Sequence, residues 1–161
     1  MNLAEYNKSV DDFSDGLFRF LLKNCKDKEK SRDLVQDTFE KLWLNHKNVE
    51  FEKVKSYLFT VAYHTLVDLV RREKKFTDFS NVDAKNYSHN EQYSDMQQIL
   101  HQAIDLLPAD QKSVVLLRDY EGYSYEEIAE ITGLSESQVK VYIFRARTFL
   151  KNYIGKVETL V

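Results

Sequence analysis

The sequence predicts an all-α fold: two small helical domains joined by a flexible linker, the C-terminal one built on a helix-turn-helix. Three observations carry this. The 161 residues include only four glycines and one proline, too few turn formers for a strand-rich domain. Apolar residues recur at helical spacing through most of the chain. That pattern stops between Phe76 and Gln97, where FTDFSNVDAKNYSHNEQYSDMQ is rich in Asn, Ser and Asp and has no apolar stripe. The break bounds a first domain at 1–75, a linker at 76–97 and a second domain at 98–161. Fully extended, the linker would span about 70–80 Å, enough for the two domains to engage distant points on one partner.

In the first domain, Phe13, Leu17, Phe20 and Leu21 line one side of a helix from Asp12 to Lys23. Asp27 is placed to cap a second helix reaching Asn45, with Leu34, Val35, Phe39, Leu42 and Trp43 as its apolar face. Asp33, Gln36, Asp37 and Glu40 form the opposite stripe at i, i+3, i+4 and i+7, the spacing of a solvated face. Asn48–Lys53 reads as a loop. A third helix from Val54 to Lys75 is apolar on most sides. Its predicted core residues are Leu58, Val61, Ala62, Thr65, Leu66 and Leu69, with Tyr57, Thr60, His64, Asp68 and Arg71 nearer the surface. It ends in Arg71, Arg72, Lys74 and Lys75, which suit a helix C-terminus. Together with Tyr57, Tyr63 and His64 they also offer the cations and stacking faces that hold single-stranded nucleic acid.

In the second domain, Ile99, Ala103, Leu106 and Leu107 make one helix, and Pro108 starts the next. Val114–Leu117 feed the core, and Tyr120–Tyr123 turn the chain. Ser124 with Glu127, and Ser135 with Gln138, then have capping-box spacing. Gly133 is placed to end the first of these two helices. In the second, Val139, Ile143, Ala146 and Leu150 share one face, while Lys140, Val141, Phe144, Arg145 and Thr148 point the other way. Two short helices around a glycine, the second one basic, suggest a DNA-binding helix-turn-helix.

Charge is segregated along the chain. Residues 1–75 carry 15 Lys and Arg against 13 Asp and Glu, residues 98–134 carry 2 against 7, and residues 135–161 carry 5 against 2. The lone Cys25 excludes an internal disulfide. His46, His64, His89 and His101 have no partner at metal-site spacing, so neither a metal nor another cofactor is expected. There are no paired carboxylates in an evident cleft, no nucleophile–base motif and no glycine-rich phosphate loop, which argues against an enzyme or a small-molecule substrate. With no apolar leader and no membrane-length run, the expectation is a cytoplasmic protein without direct membrane insertion.

Three ordered segments carry a resemblance to RNA polymerase sigma factors of the extracytoplasmic-function (ECF) type. Asp33-Leu34-Val35-Gln36-Asp37-Thr38-Phe39 with Trp43 resembles the helix that binds core polymerase. Tyr57-Leu58-Phe59 through Asp68 to Arg71-Arg72 is similar to the promoter-melting helix. Leu107-Pro108, Glu121 to Ala129 and Val139-Lys140 with Arg145-Ala146-Arg147 resemble the domain that reads the −35 element.

The resemblance implies a factor that recruits polymerase and opens promoters without catalysis of its own, nucleoid-associated when bound to polymerase. Its implied partners are bacterial core RNA polymerase, promoter DNA and an anti-sigma protein that would clamp the two domains. It assigns Asp33, Gln36, Asp37 and Glu40 to the polymerase clamp. It assigns the loop at Asn48–Lys55, with Phe51 as an apolar wall, to an unpaired −10 base, alongside Tyr57 and His64. Arg71, Arg72, Lys74 and Lys75 would hold nearby phosphates. On the −35 side, Lys140 and Arg145 would reach base edges or phosphates, Arg147 phosphate, and Val141 and Phe144 thymine methyl groups, with packing inside the domain the alternative for Phe144. Ser124 and Ser135 would offer helix N-termini to phosphate. Two departures stand out. Gln138-Val139-Lys140-Val141-Tyr142 replaces the family's frequent Thr-Val-Lys-Ser-Arg, so promoter preference should differ, and His64 stands where Asn is frequent. The competing reading is a stand-alone helix-turn-helix repressor or activator, which would leave the acidic stripe idle. A further expectation is that the net charge of −5 over 98–134 makes the free chain a poor DNA binder.

Overall fold

The computed structural model describes residues 1–77 and 95–159, the side chains of 74–77 and 158–159 excepted. The described residues form seven α-helices: α1 (Leu3–Cys25), α2 (Lys28–Leu44), α3 (Val54–Thr77), α4 (Asp95–Asp105), α5 (Ala109–Val115), α6 (Tyr125–Thr132) and α7 (Glu136–Thr159). Short 3-10 turns at His46–Asn48 and Phe51–Lys53 occupy the predicted loop, and a π-helical turn, Leu116–Tyr120, extends α5. The ends of α3 and α4 reach into the predicted linker, whose remainder lies outside the described residues.

Local chemistry accounts for the helix ends. Asn2 and Glu5 close a capping box that starts α1 well before the predicted Asp12. The Asp27 side chain accepts from Lys30 N to open α2. Ser124 and Glu127 form the reciprocal box of α6, and Gly133, at φ 79°, stops it in the left-handed region that glycine enters without penalty. Ser135 and Gln138 exchange the equivalent bonds at α7. Gly122, at φ 77°, lets the chain leave the π-helical turn and swing Tyr123 inward.

The two halves share a single apolar core. Leu17, Phe20, Leu21, Leu42, Leu58 and Leu66 from α1–α3 belong to one buried cluster with Val114, Leu116, Leu117, Tyr123, Ile128, Ile131, Val139 and Ile143. The link is made by α3 packing on α6 and by Tyr123 meeting Phe59 edge-on, with ring centroids 5.0 Å apart. Leu107, Val115 and Ala146 form a small satellite between α5 and α7. On α3 the expected inward face needs correction. Phe59 and Tyr63 are buried, whereas Val61, Thr65 and Leu69 are only half-buried. The reason is that α3 is covered on two sides, by α1 and α2 and by α6. Trp43, predicted on the apolar face of α2, is 41% exposed.

One continuous core predicts one cooperative transition. Calorimetric and van't Hoff enthalpies should agree for the full chain, and Phe59→Ala should lower stability by about 3–5 kcal/mol. Two resolved transitions in the unmodified chain would contradict the shared core.

Candidate nucleic-acid and protein interfaces

Helix α7 is sharply two-sided. Val139, Ile143 and Ala146 are buried, and Lys140, Val141, Phe144, Arg145 and Thr148 are exposed on the far side. Phe144 is 70% exposed, so it does not pack inside the domain. The outward face therefore has an apolar centre, Val141 and Phe144, bordered by Lys140 and Arg145. Lys140 is the less available cation. Its Nζ lies 3.8 Å from Glu136 and 5.7 Å from the Tyr125 ring centroid.

Arg147 is turned aside. Its Nη2 and Nε donate to Asp119 at 2.5 and 3.3 Å, and this hydrogen bonding raises its pKa further. Asp119 sits on the π-helical turn, a distortion of the kind often found at functional positions. At the helix starts, the Ser124 and Ser135 backbone N–H groups donate to Glu127 and Gln138, and their hydroxyls accept from the same two residues. The cap occupies the Gln138 side-chain oxygen. The Ser124 N–H also holds the Glu127 carboxyl below its ordinary range.

On α3, Tyr57, His64, Asp68 and Arg71 fall at i, i+7, i+11 and i+14, a single stripe about 21 Å long at helical rise. His64, Asp68, Arg71 and Arg72 are exposed, and Tyr57 is half-buried. The side chains of Lys74 and Lys75 lie outside the described residues. Phe51 is half-buried against the core at the foot of this stripe. Asn45 Nδ2 donates to the Tyr57 hydroxyl at 3.5 Å, and Asn48 Nδ2 to Asn45 Oδ1 at 2.9 Å, tying the loop to α3. The ion pair of Lys30 with Glu73, 2.9 Å, fixes the far end of α3 to α2.

On α2, Asp33, Gln36, Asp37 and Glu40 are all exposed. Beside them runs a groove of about 510 Å³ between α1 and α2, floored by Tyr6, Val10, Val35 and Phe39 and bordered by Gln36, Glu40 and Trp43. Trp43 stacks on His46 at 4.4 Å and 10° and meets Tyr6 edge-on at 5.1 Å. An acidic stripe alongside an aromatic groove suits a protein surface with complementary cations and an apolar ridge. Among the described residues, no group of three or more His, Cys, Asp or Glu could hold a metal ion. No described helix is long and apolar enough to cross a membrane.

The contacts that join the two halves escaped the sequence reading, although Lys55, Glu121 and Tyr123 lie in segments it singled out. The Arg19 guanidinium straddles the Glu121 carboxylate, Nη2 at 2.8 Å and Nε at 3.0 and 3.2 Å, and the Glu121 side chain is only 4% exposed. Lys55 Nζ stands 4.3 Å from the Tyr123 centroid, and Lys23 Nζ 3.3 Å from that of Tyr120. Burial pushes the Tyr63 and Tyr123 hydroxyls above their ordinary range. Arg19 and Glu121 are 102 positions apart, so no spacing rule joins them. The one available signal is the opposite net charge of the two segments.

Comparison with known proteins agrees with this layout. Residues 10–76 match Sigma-70 region 2 and residues 97–150 match Sigma-70 region 4. The chain is 33% identical over 149 residues to RNA polymerase sigma factor YlaC of Bacillus subtilis, covering 87% of this chain and 86% of that one. It is 30% identical over 144 residues to ECF RNA polymerase sigma factor SigM of the same organism, covering 86% and 88%. Among solved structures, the sigma factor RpoE from Bartonella quintana, crystallised with the anti-sigma factor NepR, superposes with a TM-score of 0.81 at 25% identity, covering 95% of this chain and 98% of that one. With both regions matched in order, and relatives aligned over most of their length, the chain belongs to the sigma-70 family as an RNA polymerase sigma factor of the ECF type.

Proposed function

We propose that this sigma factor divides its work among three surfaces: the α2 stripe and groove hold core polymerase, the loop and stripe of α3 take the −10 element, and the outward face of α7 reads the −35 element. The observation that carries this is the α7 face, where an exposed Phe144 stands opposite a fully buried Val139–Ile143–Ala146 side, in the same chain as the exposed acidic stripe of α2. A stand-alone repressor would use the first and leave the second without work. Phe144 and Val141 supply apolar contact for thymine methyl groups, and Arg145 a fork for a guanine edge. With Arg147 engaged by Asp119, phosphate contacts on this side fall to Lys140 and to the helix ends. By analogy with the NepR-bound relative, an anti-sigma protein is a natural further partner.

Reconstitution with bacterial core polymerase should give promoter-specific run-off transcripts. Absence of both core binding and specific initiation across a range of promoters would overturn the assignment. Gln36→Ala combined with Asp37→Arg should weaken core binding by about 2 kcal/mol or more, roughly thirtyfold, while leaving binding of the chain to a promoter duplex unchanged. Co-elution and titration with labelled core measure the first effect, and gel shift the second.

Replacing thymine by uracil at the contacted −35 positions removes the methyl group and should cost about 0.8 kcal/mol, roughly fourfold, with the wild type and nothing with Phe144→Ala plus Val141→Ala. Arg145→Ala should cost about 1–3 kcal/mol and relax preference at one base pair. A loss uniform over all sequences, with the salt slope reduced by about 0.9, would instead make Arg145 a phosphate contact.

A further inference from the structure

We propose that Asp119 is a positioning residue that sets how strongly the −35 reader holds DNA of any sequence: by engaging Arg147 it removes one phosphate grip from α7 and leaves recognition to the contacts with bases. The inference rests on the reading of α7 as the −35 helix, and it adds to that reading a residue that touches no base.

The helix itself does not put Arg147 out of reach of a duplex. Lys140, Phe144 and Arg147 fall at i, i+4 and i+7, so Arg147 continues the stripe of the outward face about 10 Å beyond Lys140 at helical rise. One carboxylate turns it aside. Arg147 Nη2 donates to Asp119 Oδ1 at 2.5 Å and Nε to Oδ2 at 3.3 Å. This is the two-point fork with which a guanidinium meets either a carboxylate or a phosphate, and here the carboxylate has it. Asp119 owes its aim to the π-helical turn Leu116–Tyr120, closed by Glu121 N bonding Leu116 O at 3.1 Å. The wider turn takes Asp119 out of the register of α5, and its carboxylate meets a side chain 28 positions on.

The pair is not a structural necessity. The Arg147 side chain is 48% exposed and that of Asp119 38%, and an ion pair so placed adds little to stability. Its consequence is electrostatic. Beside a duplex the pair is neutral, and moving Arg147 to a phosphate would leave the Asp119 carboxylate uncompensated next to a polyanion. Neighbouring cations are engaged in the same manner. Arg118, adjacent to Asp119 in the turn, donates Nη1 to the Tyr123 carbonyl at 2.9 Å and lies 4.6 Å from the Tyr125 ring centroid. Lys140 shares that ring with Glu136. A phosphate grip serves every sequence alike, and because wrong sites far outnumber right ones, it adds mostly wrong occupancy.

The test uses the full chain and a fluorescent mixed-sequence duplex, with affinity measured by anisotropy over a range of salt. Asp119→Asn keeps the side chain's size and removes the charge that holds Arg147. Its plot of log affinity against log salt should be steeper than the parent's by about 0.9, which is about a 3.5-fold greater loss between about 50 and 200 mM salt. Arg147→Gln alone should leave the parent slope as it is, because that cation is not on the DNA. Combining the two should return the slope to the parent value, which separates a released arginine from the mere loss of a repelling carboxylate. Asp119→Glu should behave as the parent. A parent-like slope in Asp119→Asn overturns the proposal, as does the absence of binding by that variant at the lowest salt. A slope flattened by about 0.9 in Arg147→Gln overturns it too, by placing Arg147 on phosphate in spite of Asp119. A purely structural tie would lower the melting temperature of both single variants and leave every slope equal, the third overturning result. None of these readouts involves polymerase, so failure here is separable from failure in run-off transcription.

Discussion

A nearly enclosed carboxylate sets the geometry of the whole molecule. Glu121 keeps its charge out of water only because Arg19, reaching across from α1, supplies three N–H contacts in place of solvent. Removing Arg19 would leave the enclosed carboxylate charged and uncompensated, a larger penalty than the pair is worth as a bond, whereas Arg19 is exposed enough to return to solvent. The position of Glu121 is in turn dictated by the π-helical turn before it, where Glu121 N bonds Leu116 O, and by Gly122 after it. Once that turn is pinned against α1, Tyr123 has one place to go, onto Phe59, and α6 follows onto α3.

The same constraint explains which parts were legible in the sequence. The helix-turn-helix was readable because its determinants are local: two reciprocal boxes at i and i+3, a glycine forced to positive φ and one apolar stripe per helix. Helix α2 was readable for the same reason. Helix α3 was readable in its bounds but not in its inward face, because it is buried on two sides by elements far apart in sequence. A helix sandwiched in that way has no single stripe, and a one-sided reading places Val61 and Leu69 inward while missing Phe59 and Tyr63. The early start of α1 was missed because Asn2 and Glu5 cap it ahead of the apolar repeat. The pairing of Arg19 with Glu121 and of Lys55 with Tyr123 carried no short-range pattern, although Glu121, Tyr123 and Lys55 all lie in segments the sequence singles out. Each looks like an ordinary surface or turn residue until the two halves meet.

The α2 stripe and the α7 face are legible from helical spacing, their proposed roles come from the resemblance to sigma factors, and the structure adds which side chains face outward. Asp33, Gln36, Asp37 and Glu40 present themselves together, beside a groove whose aromatic floor no spacing rule could have supplied. On α7 the cations are unequal. Arg145 stands at the outward face, Lys140 is shared with Glu136 and Tyr125, and Arg147 is committed to Asp119.

That inequality bears on how a promoter is recognised. Sequence-independent affinity for DNA comes mainly from cations on phosphates, and α7 spends Arg147 on its own fold and follows a strongly acidic segment. On the proposed assignment its centre, Val141 and Phe144, would discriminate by methyl contact and shape, which gives preference between sequences but little attraction to DNA as such. A reader of this kind works poorly alone and well when something else holds it beside the duplex. If core polymerase does the holding, each promoter contact becomes intramolecular, and two individually weak grips multiply through their effective concentration. On that argument the weak charge of the α7 face is a condition for selectivity, because a strongly basic face would retain the chain on any duplex it met.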